Sequence, residues 1–282
     1  MSASRWRLDG QVALITGASW GIGLACAREL GALGARLLLV AREGERLAQV
    51  QAELEEDIGG LSCSTFAADL GQPEERIALF DWIEDRGEAL SILVNNAGTN
   101  DSRAAVDYED AQWRAIVELN LAAPFELCRL AYPLLRQHAQ SSIVNIGSVS
   151  GLNHVRTGAP YGMSKAGLHQ LSRNLACEWA EDGIRVNTVA PWYIRTRRTS
   201  PKLADPDYLD EVIERPPMRR VLTSRAPLPS GTSKRAWFSV KKGRFSLKKT
   251  SSALKSTTSA SLSTWPKSGA SVAFRRCAPR AR

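Results

Sequence analysis

The chain has 282 residues, 44% hydrophobic and 23% charged, with a formal net charge of +8. Those proportions suit a soluble globular chain of one sizeable α/β domain, with or without an appendage, and no apolar run reaches the roughly 20 residues a membrane helix needs. Five cysteines (Cys26, Cys63, Cys128, Cys177, Cys277) never pair as C-x-x-C, and three histidines lie off metal-ligand spacing, which speaks against a disulfide framework or a metal site and for a reducing, cytoplasmic compartment.

In chain order, the β-rich runs "QVALITG", "RLLLVAR", "CSTFAADL", "ILVNNAG", "SIVNIGS" and "IRVNTVAP" alternate with amphipathic stretches. Those stretches are Gly23 to Leu33, Glu43 to Glu56, Pro73 to Asp85, Tyr108 to Arg136 and Tyr161 to Asp182. Near-continuous apolar strands separated by helices predict an α/β, doubly wound parallel sheet of Rossmann type. Its ligand crevice lies outside the carboxyl ends of the strands. The opening "MSASRWRLDG" has two arginines with no apolar stretch behind them, so no secretory leader is expected.

"TGASWGIG" runs from the first strand into the first helix, with Gly17, Gly21 and Gly23 at G-x-x-x-G-x-G spacing. Glycine there lets backbone N–H groups approach a pyrophosphate at a helix N-terminus. The second strand ends not in a carboxylate, which would bind a ribose diol, but in Arg42, which can pair with a 2′-phosphate. Arg42 can equally be a surface residue at a helix start; the expectation is NADP(H) over NAD(H). In "GAPYGMSKAGL", Tyr161 and Lys165 are spaced i, i+4 and share a helix face. The pair reads either as a solvated helix start or as a phenol beside a positive charge.

"TGASWGIG", "NNAG" from Asn95 to Gly98, Asn120 in "ELNLAAP", Ser148 in "IGSVSG" and "YGMSK" occur in order, with Ser148 preceding Tyr161 by 13 residues. Together they resemble the short-chain dehydrogenase/reductase family, in its shorter branch, over residues 6 to 220. The segment "APWYIRTRRTS" is most similar to members called tropinone-reductase-like. The resemblance implies that Tyr161 is the general acid, tuned downward by Lys165 and the oxidised nicotinamide. It implies that Lys165 also holds the nicotinamide ribose, that Ser148 hydrogen-bonds the carbonyl oxygen, and that Asn120 holds a relay water. It implies cofactor contacts at Gly17, Ser19, Gly21, Ile22, Gly23, Arg42, Asp69, Leu70, Asn95, Ala97, Gly98, Tyr161, Lys165, Pro191, Ile194 and Thr196. Asp69 reads alternatively as a helix cap alone, and Asn95 and Gly98 close the groove. Trp192, where the family usually has Gly, either walls the nicotinamide end or faces outward. Ser148, Asn153, His154, Trp192 and Tyr193 form the implied substrate pocket, with His154 equally readable as a loop residue.

The family pattern stops after "RPPMRRV", and no "DGG" follows. From Val221 to Arg282 there are 14 Lys and Arg and no Asp or Glu, leaving 23 basic and 29 acidic residues in the first 220, a net of −6. The expectation is a catalytic domain over 1–220 and a basic, loosely structured tail over 221–282 that reflects a changed reading frame or gene model. The sheet then lacks its usual last strand, and a homodimer through the long helices is expected rather than a tetramer. The expected activity is reduction of a small-molecule ketone to a secondary alcohol, or the reverse, with 3-oxoacyl-thioester reduction as the alternative. From another class, the alternative is an inactive nucleotide-binding protein whose tail binds nucleic acid or other polyanions.

Overall fold

The computed structural model describes residues 6–224. The expected tail therefore lies outside the described residues, apart from 221–224. Six strands form one parallel sheet: β1 (Val12–Thr16), β2 (Arg36–Ala41), β3 (Cys63–Ala67), β4 (Leu90–Asn95), β5 (Ser141–Ile146) and β6 (Ile184–Val189). Their order is β3-β2-β1-β4-β5-β6, so the chain reverses direction across the sheet between β1 and β4. That reversal opens the crevice at the carboxyl ends of those two strands.

Strand periodicity explains the continuous apolar runs. Successive side chains point to opposite faces, and here both faces are covered. Leu14, Leu38 and Val40 pack with Leu79 and Ile83 of α3 (Pro73–Asp85), Leu127 and Leu135 of α5 (Ala123–Leu135) and Leu175 of α6 (Ala159–Glu178). On the other face Ala13, Ile15, Leu37 and Leu39 pack with Ala27 of α1 (Gly21–Ala32) and with Leu47, Val50 and Leu54 of α2 (Gly44–Asp57). Each such leucine, removed from water, contributes about 1.5–3 kcal/mol. In β6 the pattern changes to alternation, with Ile184 and Val186 buried and Arg185 and Asn187 exposed. Among the described residues β6 is the edge of the sheet, covered on one face only, as a Rossmann-type sheet without its last strand requires.

A buried polar chain ties the central strands together. Asn95 Nδ2 donates to Asn145 Oδ1 at 2.8 Å, Asn145 Nδ2 to Ser172 Oγ at 2.8 Å, and Thr188 Oγ1 to Ser172 Oγ at 2.6 Å. Asn95, Asn145 and Thr188 are register partners across β4, β5 and β6. Although Asn95 Oδ1 is left buried without a partner, the chain links the three strands in register and seats α6 on them.

Two local differences from the sequence reading have physical causes. The stretch 108–136 is not one helix: α4 (Asp110–Val117) and α5 are joined by a π turn, Glu118–Ala122. Pro124 has no N–H to give the Asn120 carbonyl, so the regular i, i+4 ladder fails there. Past the expected boundary at residue 220, β8 (Leu222–Thr223) pairs in parallel with β7 (Ile194–Arg195). Between them lies α7 (Pro206–Glu214), capped by the Asp205 carboxylate on the N–H groups of Asp207 and Tyr208.

Candidate active site

The turn between β1 and α1 is built for close approach. Gly17 has φ +63°, and a Cβ on Gly23 would lie 2.3 Å from the Gly17 carbonyl oxygen and 2.5 Å from Asn96 Nδ2. No side chain fits at Gly23, so the turn leaves its backbone N–H groups open at the start of α1, where no acidic residue competes. The residues present thus fit a dinucleotide pyrophosphate. Ser19 is buried in this turn, and Ile22 packs onto the core. Thr196 reaches over the same turn, its Cγ2 3.2 Å from where a Gly21 Cβ would stand.

Asn96, which the sequence reading passed over, braces this turn from β4: its Nδ2 donates to the carbonyls of Thr16 (2.9 Å) and Gly17 (3.1 Å). Thr16 Oγ1 in turn accepts from the N–H groups of Asn96 and Ala97, both at 2.9 Å. Asn95 points the other way, into the sheet, where its Nδ2 also meets Cys128 Sγ at 3.3 Å. Its part is structural and not a side-chain contact in the crevice. Gly98 faces the crevice: a Cβ there would stand 3.0 Å from Asn120 Oδ1 and 3.7 Å from Lys165 Nζ.

Four of the expected residues converge. α6 begins after Gly158 and brings Tyr161 and Lys165 to one face, Lys165 buried with its Nζ 5.8 Å from the Tyr161 ring centroid. Lys165 Nζ donates to the Ile146 carbonyl at the end of β5 (2.8 Å). Ser148, two residues on, lies on the Tyr161 side of the crevice and accepts from the Ser150 N–H at 3.1 Å. Asn120, fully buried in the π turn, exchanges two 2.8 Å bonds with Thr99, giving to its carbonyl and accepting from its N–H. Its Nδ2 also reaches Ser164 Oγ at 3.3 Å, and Ser164 Oγ donates to the Tyr161 carbonyl at 2.8 Å. His169, also missed from sequence, holds the Ser148 carbonyl at 3.0 Å from Nε2. Its spacing eight residues after Tyr161 on the buried face of α6 was the available signal.

The electrostatics correct one expectation. Burial pushes the Tyr161 phenol above its ordinary value, and the groups opposing that rise are Ser148, by hydrogen bond, and Arg198, by charge. Lys165 is not among them, because burial, and next Arg198, lower its own pKa to about 8. The protein alone therefore keeps Tyr161 protonated. Arg198, also unexpected, crosses the crevice to the Gly98 carbonyl (2.8 Å).

The remaining residues are more dispersed. Arg42 is exposed at the end of β2. The guanidinium groups of Arg46 (4.2 Å) and Arg197 (5.1 Å) lie over the Trp20 ring. Asp69 accepts from the Gly71 N–H at 3.0 Å, closing a short turn before α3 and not capping that helix, whose N-cap is Gln72; Leu70 is buried in the core. The Pro191 carbonyl accepts from Val149 N–H (3.1 Å), and that of Ile194 from Thr199 Oγ1 (2.6 Å). The half-buried Trp192 indole donates to the Val212 carbonyl of α7 at 3.0 Å and so anchors that helix. Tyr193 pairs hydroxyl to hydroxyl with Tyr208 of α7. Asn153 and His154 are exposed on the loop after the short turn Val149–Gly151.

A family model described as short chain dehydrogenase matches residues 11–207. A tropinone reductase homolog of Arabidopsis thaliana is 39% identical over 221 residues, covering 77% of this chain and 82% of that protein. An L-sorbose reductase from Gluconobacter frateurii, solved with NADPH and L-sorbose, has a TM-score of 0.73 at 31% identity, over 78% of this chain and 87% of its own. A 3-oxoacyl (acyl-carrier-protein) reductase from Agrobacterium tumefaciens C58, solved with NADP, has a TM-score of 0.74 at 27% identity, over 79% and 87%.

Proposed function

The chain belongs to the short-chain dehydrogenase family, and on that premise we propose that it is an NADP(H)-dependent reductase of ketones, reversible toward secondary alcohols. The observation that carries this reading is the convergence of Ser148, Tyr161 and Lys165 at the carboxyl end of β5, with Lys165 one turn along α6 from Tyr161 and tied to the Ile146 carbonyl. When bound, the nicotinamide cofactor supplies or accepts the hydride. Ser148 Oγ orients the substrate carbonyl oxygen, and the protonated Tyr161 hydroxyl gives its proton to that oxygen as it becomes an alkoxide. A phenol that burial keeps protonated suits the reducing direction. Lys165 supplies an ammonium toward the nicotinamide ribose. The Asn120 side chain is taken up by Thr99, so its carbonyl, which lacks a donor at Pro124, is the group left to hold a relay water.

Arg42, exposed at the end of β2, supports NADP(H) as the cofactor. A charge-assisted bond to phosphate is worth about 1.5–3 kcal/mol, or roughly 10- to 150-fold in affinity. Arg42→Leu is therefore expected to lower kcat/KM for NADPH by about that factor while leaving NADH nearly unchanged. An equal loss with both cofactors would remove Arg42 from 2′-phosphate recognition.

The free, scattered cysteines fit a cytoplasmic setting. We expect a homodimer through α5 and α6, on which Phe125 and Met163 are exposed apolar side chains. Sedimentation equilibrium tests this, and a stable tetramer contradicts it. The activity is tested by NADPH oxidation over cyclic ketones, polyhydroxy ketones and 3-oxoacyl thioesters. Turnover of ketones supports the reading, and preference for the thioesters moves it to 3-oxoacyl reduction. Turnover of none of them overturns it.

A further inference from the structure

Arg76 in α3 is the largest fully buried side chain among the described residues, and it lies outside the crevice. Its Nη2 donates to Glu118 Oε1 at 2.5 Å, and its Nε lies 3.2 Å from Glu126 Oε2. Its Nη1 is buried with no hydrogen-bond partner among the described residues. A guanidinium removed from water with its donors incompletely used is a poor device for stability, since an apolar side chain of similar volume does as well or better. The position of its two partners supplies another reason. Glu118 is the first residue of the π turn, and Glu126 lies in the first turn of the helix that follows. One cation on a separate helix thus grips both sides of the single irregular turn that carries Asn120.

A π turn holds one residue more than the regular helix, so it is a local, reversible defect. Relaxing it to α geometry would rotate the flanking segments against each other by about 100°, the angle of one residue in a 3.6-residue turn. That rotation carries Asn120 away from Thr99. Pro124 prevents a regular ladder locally, but it does not set where the extra residue sits. A clamp from α3 onto residues 118 and 126 does set it.

We propose that Arg76 is a positioning residue of the reaction: through Glu118 and Glu126 it holds the π turn in the register that presents Asn120 to the crevice. The inference rests on the reading of Asn120 as part of the proton relay. The test uses the full-length chain with Arg76→Met, Glu118→Gln and Asn120→Ala, alone and in pairs, reading kcat, KM and the NADPH dissociation constant by fluorescence titration. Glu118 is partly exposed at 40% of its side-chain surface, so its variant tests the clamp if Arg76→Met does not fold. The expected result is a loss in kcat of about 10- to 100-fold, the scale of a misplaced group, with the NADPH dissociation constant unchanged. Combined with Asn120→Ala, neither change lowers kcat further, because all act through one group. Additive losses, or a shared loss of NADPH affinity, overturn the proposal in favour of a general structural role. If Asn120→Ala lowers kcat while the clamp variants do not, only this proposal falls. If Asn120→Ala itself leaves kcat intact, the side-chain bonds to Thr99 do not set where the relay carbonyl sits, and the proposal falls while the carbonyl relay stands.

Discussion

Tyr161→Phe is expected to lower kcat about a thousandfold, within the range that a positioned proton donor contributes, while NADPH still binds with its affinity little changed. The substitution removes one oxygen from a ring whose neighbours are otherwise kept: Lys165 retains its bond to the Ile146 carbonyl, and Ser148 keeps that from the Ser150 N–H. The pH profile separates acid catalysis from mere packing. Burial holds Tyr161 protonated well past neutrality, so it is not the first group to titrate as pH rises. Lys165, lowered to about 8 by burial and by Arg198, is. Above that pH the free protein loses the ammonium, and kcat/KM for ketone reduction is expected to fall with an apparent pKa near 8. Residual activity of more than a tenth in Tyr161→Phe would put the proton donor elsewhere.

The elements most legible in the sequence were those whose signals are local. β1 and β2 announce themselves because both faces of a central parallel strand are buried, and the turn from Gly17 to Gly23 because no other residue fits there. Ser148, Tyr161 and Lys165 follow from short motifs on neighbouring elements. The rest depends on distant pairing. Asn96 braces the glycine turn from some 80 residues away, and Arg198 reaches Gly98 across 100. Neither contact has a sequence period to reveal it. The π turn was hidden because α4 and α5 carry an apolar pattern that reads as one helix, although Pro124 was a visible warning. The tuning of Tyr161 was misjudged for a related reason. Proximity of an ammonium at i+4 was readable, but the burial that weakens that ammonium's own charge was not. Trp192 shows the same limit, since its partner, the Val212 carbonyl, belongs to a helix that the sequence reading did not distinguish.

Gly23→Ala should abolish tight cofactor binding while leaving most of the fold in place. The added methyl would stand 2.3 Å from the Gly17 oxygen, 2.9 Å from its carbonyl carbon and 2.5 Å from Asn96 Nδ2. None of these can yield cheaply. Two are backbone atoms of the turn, and the third is held by the Thr16 and Gly17 carbonyls. The turn must move, and overpacking of this kind costs about 1–3 kcal/mol. If that strain falls on the geometry that receives the pyrophosphate, NADPH affinity drops by about ten- to a hundredfold, and the melting temperature falls by a few degrees, about 2–4 °C per kcal/mol for a domain of this size. Gly59→Ala is the matched control, because nothing lies within 4 Å of a Cβ there. Fluorescence titration with NADPH and thermal melts of both variants read the two quantities separately. A Gly23→Ala protein that melts lower yet binds NADPH normally would show that the strain escapes toward Asn96 and β4. The close contact would then serve helix packing rather than the cofactor.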